Sequence, residues 1–185
     1  MKNILGIIGS PRKNGNTHVL VSQILNGARD TGANAETIFL GDLNLMECNG
    51  CHSCWKGKHV CSKKDDMSDL YPKIMESDVL VFGTPVYWFG PTAIMKCFID
   101  RFVFFNCPAN RKKIRDKAAV IAVPFEDSTY ATSDLVVKFF DKSFEYLEVK
   151  FVDKIIVPGV TKRGEVRHLK RVMGKCYKLG QRLAV

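Results

Sequence analysis

Two periods of apolar and polar residues alternate along this chain from end to end. Short apolar runs read as strands at Lys2–Ile8, Ala35–Leu40, Val79–Gly83, Ala118–Val123 and Lys150–Val157. Apolar residues recur at helical spacing in Thr17–Thr31, Asp65–Ser77, Pro91 to about Phe105, Ser133–Leu147 and Glu165–Leu183. Gly32 suits a helix C-cap, and Pro91 suits the start of a helix. Five strands alternating with five helices predict an α/β fold, a doubly wound parallel sheet covered by helices on both faces. Only the segment Gly41–Lys64 fits neither period.

A flavodoxin-like strand order, 2-1-3-4-5, fits this alternation and sets ligand contacts just after strands one and three. The first such loop reads Gly9-Ser10-Pro11-Arg12-Lys13-Asn14-Gly15-Asn16-Thr17. Helix N-termini offer unbonded N–H groups and a favourable dipole to an anion. Ser10, Asn14, Asn16 and Thr17 add side-chain donors, and Arg12 and Lys13 add positive charge. The loop is not a Walker A motif, because five residues separate Gly9 from Gly15 and Asn16 stands where the lysine belongs. Gly6 and Gly9 do not make a G-x-G-x-x-G dinucleotide fingerprint either. Two readings remain: a cradle for a monophosphate such as that of FMN, or an ordinary polar turn with a threonine cap.

The second loop reads Gly83-Thr84-Pro85-Val86-Tyr87-Trp88-Phe89-Gly90-Pro91. A flat apolar ring such as isoalloxazine needs a stacking surface beside backbone donors and acceptors. Thr84, Pro85, Val86, Tyr87 and Trp88 are the candidates to supply both, against the alternative that the three aromatics pack under a connection. Together the two loops specify a flavin better than either does alone.

At 185 residues, with ordinary globular composition, the chain is expected to form one domain, 1–185, with the cysteine-rich loop at about 41–64. The net charge of +9 raises nucleic acid as a partner, but no nucleic-acid-binding module accompanies the basic residues. A solvated basic face that attracts anionic cofactors is the alternative. No apolar run reaches membrane-spanning length, and the N-terminal run leads through Gly6 into a charged loop, as a strand does and a signal peptide does not. A cytoplasmic protein without nucleic-acid or membrane partners is expected. Of seven cysteines, four fall in Cys48-x2-Cys51-x2-Cys54-x6-Cys61, which points to a reducing compartment and a metal or redox site. The spacing of the first three suits the corners of a 4Fe–4S cubane; a thiol-only loop and a zinc site are the alternatives. His52 and His59 read as solvated loop residues, since four thiolates leave them no vacancy.

The stretches G-S-P-R-x-x-G-N-T (9–17) and T-P-V-Y-W (84–88), followed by Lys96-x-x-Ile99-Asp100-Arg101, resemble the NADPH-dependent FMN reductase superfamily from Lys2 to about Arg101. That resemblance implies a flavodoxin-like FMN-binding fold and a homodimer or homotetramer. It also places a third FMN-proximal loop after strand four, around 124–129, where no family-specific residue stands. The cysteine pattern is similar to that of the iron–sulfur flavoproteins, a branch of the superfamily, and this implies Cys48, Cys51, Cys54 and Cys61 as cluster ligands. Lys96 and Asp100 form either a helical ion pair or a dimer contact. No Ser-His-Asp or Cys-His constellation is readable, as befits a protein whose cofactor does the chemistry. The expected function is an FMN-dependent oxidoreductase moving electrons from NAD(P)H or a ferredoxin-like donor through FMN and the cluster. Alternatives are a cluster-free NAD(P)H-dependent flavin or quinone reductase, and a non-enzymatic flavodoxin-like carrier.

Overall fold

The computed structural model describes residues 1–185. Strands β1 (Asn3–Ile8), β2 (Asn34–Phe39), β3 (Val79–Gly83), β4 (Ala118–Pro124) and β5 (Lys150–Val157) form one sheet. All four pairings are parallel and the order is β2-β1-β3-β4-β5, as the alternation of patterns predicted. The helices are α1 (Asn16–Arg29), α2 (Met67–Glu76), α3 (Ala93–Asp100), α4 (Val103–Asn106), α5 (Pro108–Arg111), α6 (Asp134–Tyr146) and α7 (Lys170–Leu183). No helix is long and apolar enough to cross a membrane.

Because successive strand residues point to opposite faces, the sheet divides the apolar side chains into two cores. Leu5, Ile7, Leu80, Phe82, Ala119 and Ile121 pack with residues of α2, α3, α4 and α6. Ile4, Ile8, Val79, Val81, Val120 and Ala122 pack with α1 and α7. On that second face α1 and α7 touch backbone to backbone. A Cβ on Gly180 would lie 1.8 Å from the Ile24 carbonyl oxygen, and one on Gly27 would lie 2.0 Å from that of Tyr177. This close approach draws the connection between β5 and α7 back over the N-terminus of α1.

The long helix expected from Pro91 to Phe105 is three short ones. Pro91 lies outside α3; Thr92 is the cap, its hydroxyl accepting from the Met95 N–H at 3.3 Å. At Arg101 and Phe102 the backbone tightens to i→i+3 bonds, with N–H of Arg101 to O of Phe98 and N–H of Phe102 to O of Ile99. Cys107 is extended (ψ 130°) because Pro108 follows it, which separates α4 from α5. The last helix starts later than predicted: Glu165–His168 is a 3₁₀ turn, broken at Leu169 (ψ 75°).

Candidate functional site

The loops after β1, β3 and β4 converge at the carboxyl edge of the sheet on a cavity of about 130 Å³. A fourth loop, between β5 and α7, completes it. Ser10, Arg12, Gly15, Asn16 and Thr17 form one wall, Pro85, Val86 and Tyr87 a second, and Pro124, Phe125 and Glu126 a third. Val160, Thr161 and Arg163 close the remaining side. The first backbone bond made by the α1 terminus runs from Val19 N–H to the Gly15 carbonyl at 3.0 Å. The N–H groups of Asn16, Thr17 and His18 therefore have no backbone acceptor, the condition that makes a helix start an anion site. A Cβ on Gly83 would lie 2.8 Å from the Thr17 side chain and 2.6 Å from that of Val21, so glycine lets α1 sit close over β3.

Seven of the ten predicted cofactor residues line this cavity: Ser10, Arg12, Asn16, Thr17, Pro85, Val86 and Tyr87. Three do not. Asn14 stands in the left-handed region (φ 58°), its N–H donating to His18 Nδ1 at 3.1 Å, beside a separate groove. Thr84 is fully buried, and its hydroxyl accepts from the Thr92 N–H at 3.1 Å and donates to the Pro85 carbonyl at 3.0 Å. With Thr92, which bonds the Gly9 carbonyl, it ties the β3 loop to the β1 loop. Trp88 is 97% exposed, at the tip of a two-residue hairpin closed by paired bonds between Tyr87 and Gly90 (2.8 and 2.9 Å). Trp88 and Phe89 have φ of 49° and 62°, the type I′ backbone that Asn-Gly adopts easily and bulky residues do not.

The positive charge is also redistributed. Lys13 turns away to Asp42 (2.6 Å), and Arg163, which the pattern did not single out, lines the cavity together with Arg12. Arg163 is held there by its loop. Asn16 donates from Nδ2 to the Lys162 carbonyl (3.0 Å) and accepts at Oδ1 from Val166 N–H (3.3 Å). Glu165 accepts from the N–H groups of Thr161 and Lys162, both at 2.9 Å. Those two bonds, from Lys162 and then Thr161, hold the Glu165 carboxyl below its usual range.

Around the cysteine-rich loop, Cys48, Cys51, Cys54 and Cys61 line one small cavity of about 30 Å³, together with Tyr71 and Arg101. No three thiol, imidazole or carboxylate groups of the chain converge closely enough to hold a metal ion as the loop stands. All seven cysteines are free thiols. Cys54 is buried, and burial followed by the nearby Cys61 pushes its thiol up. His59 is not a free solvated residue: its Nδ1 faces Cys107 Sγ at 3.6 Å, and its carbonyl accepts from Asn110 Nδ2 at 3.0 Å. Trp55 Nε1 donates to the Val103 carbonyl (3.2 Å), so α4 and α5 brace the loop from below.

Comparison with known proteins supplies the family. Residues 2–152 match the profile of the NADPH-dependent FMN reductases. The chain belongs to that family. An iron-sulfur flavoprotein of Archaeoglobus fulgidus is 34% identical over 166 residues, covering 89% of this chain and 80% of the relative. A second, from Methanocaldococcus jannaschii, is 40% identical over 98 residues, about half of each chain (53% and 50%). These relatives place the chain in the iron–sulfur flavoprotein branch. Among solved structures, the NAD(P)H:quinone oxidoreductase from Methanothermobacter marburgensis superposes with a TM-score of 0.79 over 99% of this chain and 96% of its own, at 16% identity, a likeness of fold. The chain is thus a flavin-dependent oxidoreductase with a flavodoxin-like sheet.

Within this FMN reductase family member, Cys51 is the exposed thiol best prepared to react. Hydrogen bonds from the Ser53 hydroxyl (3.3 Å) and the Ser62 hydroxyl (3.4 Å) bring its pKa down to about 7. In metal-free protein, iodoacetamide is expected to label Cys51 first, with a rate that rises through pH 7 as the thiolate forms. Ser62→Ala is expected to move that rise to higher pH. Equal labelling of all seven cysteines, read by peptide mass spectrometry, would contradict the assignment.

Proposed function

We propose that FMN binds in the switch-point cavity and that Cys48, Cys51, Cys54 and Cys61 hold a 4Fe–4S cluster, with electrons moving between the two centres. The carrying observation is the convergence of unbonded α1 N–H groups with Arg12 and Arg163 at the one edge of the sheet where such folds bind ligands. Ser10 and Thr17 add hydroxyls to that phosphate site, while Asn16 serves it indirectly by fixing the loop that carries Arg163. Organic ligands usually occupy about 300 Å³ or more. A cavity of about 130 Å³ takes the phosphate end of the cofactor, which leaves the ring along the rim made by Pro85, Val86, Tyr87 and the 124–126 loop. FMN supplies, when bound, exchange of two electrons on one side and one on the other. The residues 1–185 then act as one FMN-binding domain.

NAD(P)H or a ferredoxin-like protein is the proposed donor, and a homodimer or homotetramer the proposed assembly. The hairpin of Trp88 and Phe89, exposed beside the cavity, favours a partner subunit over the rim. For the cluster, four thiols on one cavity with a guanidinium on one of their sulfurs is a donor set of the right softness and charge. A volume of about 30 Å³ suits a water molecule, so the loop has to part to admit a cubane. That closed loop favours a second reading, a cluster-free NAD(P)H-dependent FMN or quinone reductase. Iron content after anaerobic reconstitution separates them. Cys51→Ser and Cys61→Ser are expected to lose most bound iron, whereas Cys176→Ser, on the buried face of α7 across the sheet with its thiol pushed up to about 12 by burial, keeps it. Equal iron in all three, or none in the unmodified protein, would favour the second reading.

A further inference from the structure

We propose that Arg101 is the positioning residue of the cysteine centre: it clasps the two ends of the 46–65 loop and, by donating to the Cys61 sulfur, raises the reduction potential of the cluster held there. The inference rests on the cluster reading above. Arginine is almost never fully buried unless its charge is paired. Arg101 is 1% exposed, and the partner that makes this tolerable, Asp65, is shielded completely. The pair is bidentate, with Nη1 and Nη2 each facing a carboxylate oxygen, the second at 3.1 Å.

The remaining donors reach the loop itself. Nη1 donates to the Met46 carbonyl at 2.8 Å, and Asp65 Oδ2 accepts from the Met46 N–H at 2.7 Å. The first residue of the loop is thus gripped through both its backbone groups. At the other end, Nη2 donates to Cys61 Sγ at 3.3 Å. Behind the pair, Tyr71 donates its hydroxyl to the Arg101 carbonyl at 3.3 Å. The same guanidinium also lines the cavity on which all four thiols open. The helix predicted through this region ends at Arg101, whose side chain reaches Met46 and Cys61 of the loop.

A donor on a ligating sulfur stabilises whichever cluster state is more negative, the one-electron-reduced state, so it raises the potential. Asp65 offsets part of the guanidinium charge. Two isosteric or near-isosteric changes should therefore move the potential in opposite directions, which a merely structural role would not do. Asp65→Asn leaves Arg101 less compensated and raises the potential. Arg101→Met combined with Asp65→Asn removes both charges without stranding either, and lowers it. Arg101→Lys, which keeps the charge but reaches fewer partners, is expected to fall between the double variant and the unmodified protein.

The experiment is a spectroscopic redox titration of the reconstituted full chain and these variants, paired with hydrogen exchange of residues 46–65 in the metal-free protein. Opposite shifts, with faster loop exchange in the double variant, support the proposal; if the double variant does not load iron, the lower potential expected of Arg101→Lys against the unmodified protein decides the sign. Shifts in one common direction, or none, would overturn the electronic role while leaving the cluster reading intact. Unmodified protein that takes up no iron overturns that role together with the cluster reading. Unchanged exchange of the loop would overturn the clasp in either case.

Discussion

Arg163→Ala is expected to raise the Kd for FMN about tenfold at low salt, and the double change with Arg12→Ala about a hundredfold. A hydrogen bond to a charged group contributes roughly 1.5–3 kcal/mol, and exposure moves the effect toward the lower end of that range. Tenfold corresponds to about 1.4 kcal/mol. Both side chains line the cavity from exposed positions, so added salt should shrink the difference between variants and the unmodified protein. Lys13→Ala is the control. Lys13 is spent on Asp42, so its loss is expected to leave FMN affinity within about twofold, well below the threshold of a net hydrogen bond. Fluorescence quenching of FMN titrated with protein reads all four. A Lys13 effect as large as that of Arg163 would mean that the anion site has been drawn on the wrong side of the loop.

The second large effect concerns the contact that brings Arg163 to the cavity. Gly180→Ala is expected to lower the unfolding free energy by about 2 kcal/mol, within the range for overpacking a tight contact. The added Cβ has 1.8 Å to the Ile24 carbonyl and 2.8 Å to the Ala28 amide nitrogen, both backbone atoms that no rotamer change can move aside. For a chain of this size the Tm should fall by roughly 4–8 °C. Gly174 lies on the same helix with nothing within 4 Å of its would-be Cβ. There the same substitution only gains helix propensity, and Gly174→Ala is expected to stabilise by up to about 1 kcal/mol. Opposite signs from one chemical change on one helix distinguish packing from propensity. A Gly180→Ala protein as stable as the original would mean that α1 and α7 do not lie backbone to backbone.

How much of this could be read from the residues follows from how locally each feature is encoded. Parallel strands buried on both faces show as unbroken apolar runs, and Val79-Leu80-Val81-Phe82 and Ile4 to Ile8 did so without ambiguity. The switch-point loops followed from the strand order, and seven of their ten expected residues do face one cavity. Some of what was not legible is long-range and some is local. Nothing near Asn16 reveals that its amide is engaged 146 residues away by Lys162, or that Arg163 thereby reaches the cavity; that depends on the Gly27 and Gly180 contact. Thr84 reads as a candidate donor from its place in the loop beside Pro85, Val86 and Tyr87, yet its hydroxyl is engaged by Thr92 and Pro85. The hairpin at Trp88 and Phe89 was hidden because its turn type usually announces itself with Asn-Gly, and here two aromatics adopt it. The buried pairing of Arg101 was hidden because its partner, Asp65, lies 36 positions earlier.

The central claim, FMN in the switch-point cavity joined to a cluster on the cysteine loop, is tested most directly by the absorption spectrum of protein purified without oxygen, paired with FMN, iron and acid-labile sulfide assays. Flavin bands over a broad iron–sulfur shoulder are expected, with about four irons per FMN, the content of one cubane. Flavin bands with no iron and no sulfide, from protein never exposed to air, would contradict it.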